Sequence, residues 1–69
     1  MVNINKALGE RVRKIRREKN ITQEELAFRA DLTFTYLNQI ENGKRNPSIE
    51  AIARIAKGLG VKAQNLLSF

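Results

Sequence analysis

The sequence predicts an all-α chain of five short helices, and three observations carry that prediction. Apolar residues recur at helical spacing, with no stretch of strand-like alternation. Residues that start helices (Thr22, Thr33, Ser48) stand just before these runs, and residues that end them (Asn20, Asn42–Gly43, Gly58, Gly60) just after. The intervals between runs are about two to five residues long, as in a helix bundle with short connections. Internal repeats and low-complexity tracts are absent, and residues 1–69 are expected to form one domain with one small core.

The first helix is expected over residues 4–19, where Ile4, Leu8, Val12 and Ile15 follow one another at spacings of 4, 4 and 3. Asn3 or Asn5 is placed to cap its start, and Asn20 suits its end because Asn tolerates a left-handed backbone. Arg11, Arg13, Lys14, Arg16, Arg17 and Lys19 fill the remaining positions and read as a solvated face. Arg16 is the exception, since it adjoins Ile15 and can turn inward.

Residues 22–43 read as two short helices joined by a tight turn. Thr22 and Glu25 have the spacing of a capping box, in which the Thr22 hydroxyl accepts from the Glu25 amide while the Glu25 carboxylate reaches back. Ile21 and Leu26 would form the accompanying staple. A break at Asp31-Leu32 precedes Thr33, which caps the next helix, and Asn42-Gly43 is a left-handed stop. Leu26, Ala30, Leu37 and Ile40 fall on inward faces, and Ala27 is small enough for two helices to approach closely. Phe34, Thr35, Asn38 and Gln39 are left pointing outward.

Pro47 in the basic loop KRNPS interrupts any helical path, and Ser48 caps a helix over 49–58. Ile49, Ile52, Ala53, Ile55, Ala56 and then Leu59 make its broad apolar face, so it should be central to the core. The last helix, within 61–69, lacks a good cap at Lys62 yet carries the apolar Leu66, Leu67 and Phe69.

Composition narrows the function. Thirteen Lys plus Arg against seven Asp plus Glu leave a net charge of +6, and the first twenty residues carry seven basic and two acidic side chains. Such a surplus attracts polyanions, although it also serves simply to keep a small domain dispersed. With no Cys and no His, the chain lacks thiol nucleophiles, the usual general bases, disulfides and most transition-metal sites. A glycine-rich phosphate loop is missing too, so the chain is expected to be neither an enzyme nor a cofactor carrier. No run approaches the ~18 apolar residues of a membrane span, and a cytoplasmic protein is expected.

The phrases ALGERVRKIRREKNITQEELA, TYLNQIENGKRNPS and IARIAKGLGV carry a family resemblance from about Leu8 to Leu67. The sequence resembles the Cro/CI-type (Xre-family) helix-turn-helix DNA-binding domain of phage repressors and bacterial regulators. The second phrase is also similar to the controller proteins of restriction–modification systems. The resemblance implies a compact five-helix lambda-repressor-like fold and a transcription regulator, a homodimer on a pseudo-palindromic site in double-stranded DNA. RNA polymerase is a further partner on this reading.

Position by position, the resemblance implies that Phe34, Thr35, Asn38 and Gln39 meet base edges in the major groove. Asn and Gln can pair bidentately with adenine, while Phe34 and the Thr35 methyl pack on a thymine methyl. Gln23, Tyr36, Asn42, Lys44, Arg45 and Asn46 would hold phosphates or sugars. It also implies a buried ion pair between Arg16 and Glu41. Three departures stand out: Asp31 and Asn20 occupy positions where the family favours glycine, and Phe34 one where it favours a polar residue. For the dimer surface the apolar C-terminus offers Leu66, Leu67 and Phe69, with Val61. The same residues would serve equally to pack the last helix onto the core. Two rivals share the fold: a protein–protein interaction domain that does not bind DNA, and a non-specific nucleic-acid binder.

Overall fold

The computed structural model describes residues 3–68, and these form five helices in the order α1 (Ile4–Glu18), α2 (Gln23–Ala30), α3 (Phe34–Glu41), α4 (Ile49–Leu59) and α5 (Ala63–Leu66). Four starts are capped by side chains three residues upstream of the amide they satisfy. Asn3, Thr22, Thr33 and Ser48 accept from the amides of Lys6, Glu25, Tyr36 and Ala51 at 3.0–3.1 Å. The reciprocal half of the capping box is replaced. The Glu25 carboxylate turns outward to Arg29 at 3.1 Å, one turn along the exposed face.

The first four helices end in the same way. One or two residues past each end the chain adopts a left-handed conformation, Asn20 at φ 57°, Asp31 at 55°, and Gly43 and Gly60 at 72°. The following amide then reaches back to a carbonyl five residues earlier: Ile21 to Arg16, Leu32 to Ala27, Lys44 to Gln39 and Val61 to Ala56, at 2.9–3.0 Å. These paired reversals satisfy helix-end carbonyls and turn the chain sharply enough for adjacent helices to cross.

The core joins Leu8, Val12 and Ile15 of α1, Leu26, Ala27 and Ala30 of α2, Leu37 and Ile40 of α3, Ile55, Ala56 and Leu59 of α4, and Leu66 of α5, with Ile21 from the first connection. Helix α2 packs chiefly on α4, and α1 on α3. Two glycines make these contacts close. A β-carbon on Gly9 would lie 2.3 Å from the Ile40 carbonyl oxygen, so α1 meets the end of α3 backbone to backbone. One on Gly58 would come within 3.0 Å of Leu26 Cδ1. Gly58 is therefore a packing position inside α4 rather than the end of that helix, which runs one residue further than expected.

Three apolar expectations are corrected. Ile4 is 63% and Ile49 86% exposed, and Ala53 is exposed. Each stands at or near a helix start or on the outer side, where no neighbouring helix reaches. The buried residues of α4 are Ala51, Ile55, Ala56, Gly58 and Leu59, with Ile52 half-buried. The anticipated face therefore holds at Ile55, Ala56 and Leu59 and is replaced near the helix start, where Ala51 is buried and Ile49 and Ala53 are not. Among the described residues no helix is long and apolar enough to cross a membrane.

Candidate nucleic-acid interface

Helix α3 is divided lengthwise. Leu37 and Ile40 are completely buried and Glu41 nearly so, which fixes the rotation of the helix about its own axis. Phe34 and Thr35 consequently stand exposed on the opposite side, with Asn38 and Gln39 half-buried at the border. Leu37 and Ile40 hold four neighbouring side chains in one row, and Thr33 anchors the start of that row through its hydroxyl at 3.1 Å from the Tyr36 amide. A row of amides, a hydroxyl and an aromatic edge along one helix has the donor, acceptor and apolar groups needed to read base edges.

Cationic groups flank the row. Lys44, Arg45 and Asn46 are exposed on the loop that follows α3. The Arg45 guanidinium lies 5.2 Å from the centre of the half-buried Tyr36 ring, a cation–π distance that holds a flexible side chain in place. Tyr36, Arg45 and Asn46 share an open cleft of about 460 Å³ with Asp31, Leu32 and Thr33. The acidic Asp31 thus stands in the same cleft as Arg45.

Behind the row is a polar network that the chain pattern only partly anticipated. The Glu41 carboxylate, with no side-chain exposure, receives Arg16 Nε at 2.8 Å and Arg16 Nη2 at 3.0 Å. Arg16 Nη1 also donates to the Ile21 carbonyl at 2.8 Å. Gln23 Nε2, at the first turn of α2, donates to Glu41 Oε1 at 3.0 Å, and Gln23 Oε1 accepts from Asn38 Nδ2 at 3.4 Å. Asn42 Nδ2 donates to the Asn38 carbonyl at 2.9 Å and to Asn38 Oδ1 at 3.2 Å. Arg13, read from sequence as part of a solvated face, donates through Nη2 to the Glu41 carbonyl at 2.9 Å and to Asn42 Oδ1 at 3.0 Å. Nothing in the spacing of α1 distinguishes Arg13 from its basic neighbours. Among the described residues no buried side-chain nitrogen or oxygen lacks a partner.

At the other end of the chain the apolar C-terminal residues separate. Leu66 is fully buried, so it belongs to the core and is corrected out of any free surface. Val61 is half-buried against the core, whereas Leu67 is 49% exposed. Phe69 lies outside the described residues.

Comparison with known proteins returns one consistent answer. A family model described as Helix-turn-helix matches residues 12–66. The chain is 48% identical over 68 residues to Control protein C.BamHI of Bacillus amyloliquefaciens, covering 97% of this chain and 84% of that protein. It is 41% identical over 69 residues to Control protein C.MunI of a Mycoplasma species, covering 99% and 93%. Among solved structures it is similar to the restriction-modification controller protein C.AhdI of Aeromonas hydrophila. That match has a TM-score of 0.88 at 34% identity, over 90% of this chain and 94% of that one.

Proposed function

The chain belongs to the Cro/CI-type family of helix-turn-helix proteins, sequence-specific DNA-binding regulators of transcription, and from this we propose which surface reads duplex DNA and how. Helix α3 enters the major groove with Phe34, Thr35, Asn38 and Gln39 toward base edges. Lys44, Arg45 and Asn46, with Tyr36, hold the phosphates beside it and fix register without reading sequence. Gln23 adds the free amide of a helix start and its second side-chain hydrogen to a phosphate on the other side. The observation that carries this reading is the split of α3, completely buried at Leu37 and Ile40 and open at Phe34 and Thr35.

One such helix spans only a few base pairs, so two copies act together on half-sites roughly 34 Å apart. Leu67 and Val61 supply the surface between them. On this reading the chain acts as a controller protein, as the restriction-modification protein it is similar to is named, regulating genes in the cytoplasm by occupying a promoter or touching RNA polymerase there. Phe28, 83% exposed on α2, lies on a helix face that remains open for such a contact.

Selection of binding sites from random duplexes, followed by titration at two salt concentrations, tests the reading. A recovered two-fold symmetric sequence, bound far more tightly than random duplex at both salts, is the expected result. Equal binding to all duplexes would leave only a basic surface, and no binding would leave an interaction domain.

A further inference from the structure

We propose that Arg13, a residue of α1 outside the base-reading row, is a positioning residue that helps set which way round the Asn38 side-chain amide is presented to DNA. The inference rests on the reading of α3 as the recognition helix.

An asparagine amide has two nearly isosteric ends, one a donor and one an acceptor, and a half-turn about its terminal bond exchanges them. Left alone on a surface, Asn38 would present either. Here its orientation is determined from both sides. Two fixed groups set Asn42: Arg13, which has only donors, faces its Oδ1 at 3.0 Å, and the Asn38 backbone carbonyl, which only accepts, faces its Nδ2. Asn42 must then turn Nδ2 toward Asn38, where it meets Oδ1 at 3.2 Å and the carbonyl oxygen at 2.9 Å. That leaves Asn38 Nδ2 directed at Gln23 Oε1, at 3.4 Å. Gln23 in turn places Nε2 on the Glu41 carboxylate, which only accepts, at 3.0 Å.

The chain of bonds therefore runs from a donor-only guanidinium to an acceptor-only carboxylate through three amides. Reversing any one amide sets two N–H groups or two oxygens face to face. Arg13 is also held in place, by the Glu41 carbonyl at 2.9 Å, with its side chain 32% exposed. Since bidentate reading of a base depends on the order of donor and acceptor along the amide edge, the order at Asn38 is imposed jointly by Arg13 through Asn42 and by Glu41 through Gln23. Asn42, which the resemblance assigns to phosphate contact, also serves this positioning task through both ends of its amide.

The test is binding-site selection from random duplexes with the full chain and four variants, with affinity for random duplex measured beside each to subtract sequence-independent charge loss. Asn38→Ala identifies the base pair it reads. In Arg13→Met, discrimination at that one pair should fall about tenfold while other positions keep theirs. Arg13→Lys, which also brings only donors, should retain it. In Asn42→Asp, a carboxylate oxygen faces Asn38 Oδ1 while Gln23 Oε1 still holds Asn38 Nδ2, so the two sides oppose each other and discrimination at that pair should fall. Thermal melts report folding, and if Arg13→Met does not fold, the exposed Asn42→Asp site carries the test. Folded Arg13→Met or Asn42→Asp protein selecting the wild-type base with wild-type discrimination overturns the proposal. A wild-type chain that selects no sequence overturns the reading of α3 itself, and is seen before any variant is compared.

Discussion

The Arg16 guanidinium and the Glu41 carboxylate meet inside the protein as a two-point pair, Nε to Oε2 at 2.8 Å and Nη2 to Oε1 at 3.0 Å, with side-chain exposures of 11% and 0%. The pair ties the C-terminal half of α1 to the last residue of α3, so it fixes how the recognition helix sits on the scaffold. Removing one partner strands a buried charge at a cost of about 3–5 kcal/mol. Arg16→Ala should therefore lower the melting temperature by more than about 10 °C, given roughly 4–8 °C per kcal/mol for a domain of this size. The exposed Arg17→Ala is the control, and equal shifts in the two variants would contradict a buried pair.

Gly9→Ala sets two effects against each other. Alanine gains about 1 kcal/mol in helix propensity. Its methyl group would lie 2.3 Å from the Ile40 oxygen and 2.8 Å from the Glu41 oxygen, both backbone atoms that cannot swing aside. Overpacking of this kind costs about 1–3 kcal/mol or more, so the overlap wins. Denaturant unfolding should show net destabilisation; an unchanged or higher midpoint would mean that α1 and α3 are further apart than described.

Asp31 occupies a left-handed position at φ 55° and lines the cleft that also holds Arg45. Asp31→Gly relieves the backbone penalty, offset in part by greater freedom of the unfolded chain, for a net gain of about 0.5–1 kcal/mol. It also removes an acidic group from the side proposed to face phosphates, so DNA affinity should rise about two- to fivefold at low salt and less at high salt. A fall in either melting temperature or affinity would count against the placement of this turn.

Leu67 and Leu66 are neighbours with opposite surroundings, 49% and 0% exposed. Leu67→Lys should leave the melt nearly unchanged at high dilution while sedimentation shows a monomer. Leu66→Lys should unfold the chain outright, because it places an ammonium group in the core. A Leu67→Lys protein that still sediments as a dimer would move the interface elsewhere.

The legible parts of the fold were those set by local chemistry. Asn3, Thr22, Thr33 and Ser48 cap because a short polar side chain before an apolar run has one favourable use, and Asn20, Asp31, Gly43 and Gly60 end helices because few residues tolerate positive φ. The errors came where a helical face is wider than its neighbour. Ile49 and Ala53 belong to the apolar pattern of α4, yet Ala51, Ile55 and Gly58 are the buried positions, and α2 meets this side of α4 closely at Gly58. Gly9 had a signal, since an isolated glycine inside a helical pattern costs about 1 kcal/mol and usually has a packing reason. Arg13 had none. Its partners Glu41 and Asn42 lie 28 and 29 residues away in sequence, and only the crossing of α1 over α3 brings them together.

The account turns on the exposed side of α3 reading bases while the loop after it holds the backbone. The most direct measurement is the ratio of affinities for the selected site and for random duplex, compared between Gln39→Ala and Arg45→Ala at fixed salt. Gln39→Ala should reduce that ratio about 10- to 100-fold with little change on random duplex, whereas Arg45→Ala should weaken both to the same extent and leave the ratio intact. A Gln39→Ala protein with an unaltered ratio would contradict the placement of α3 in the groove.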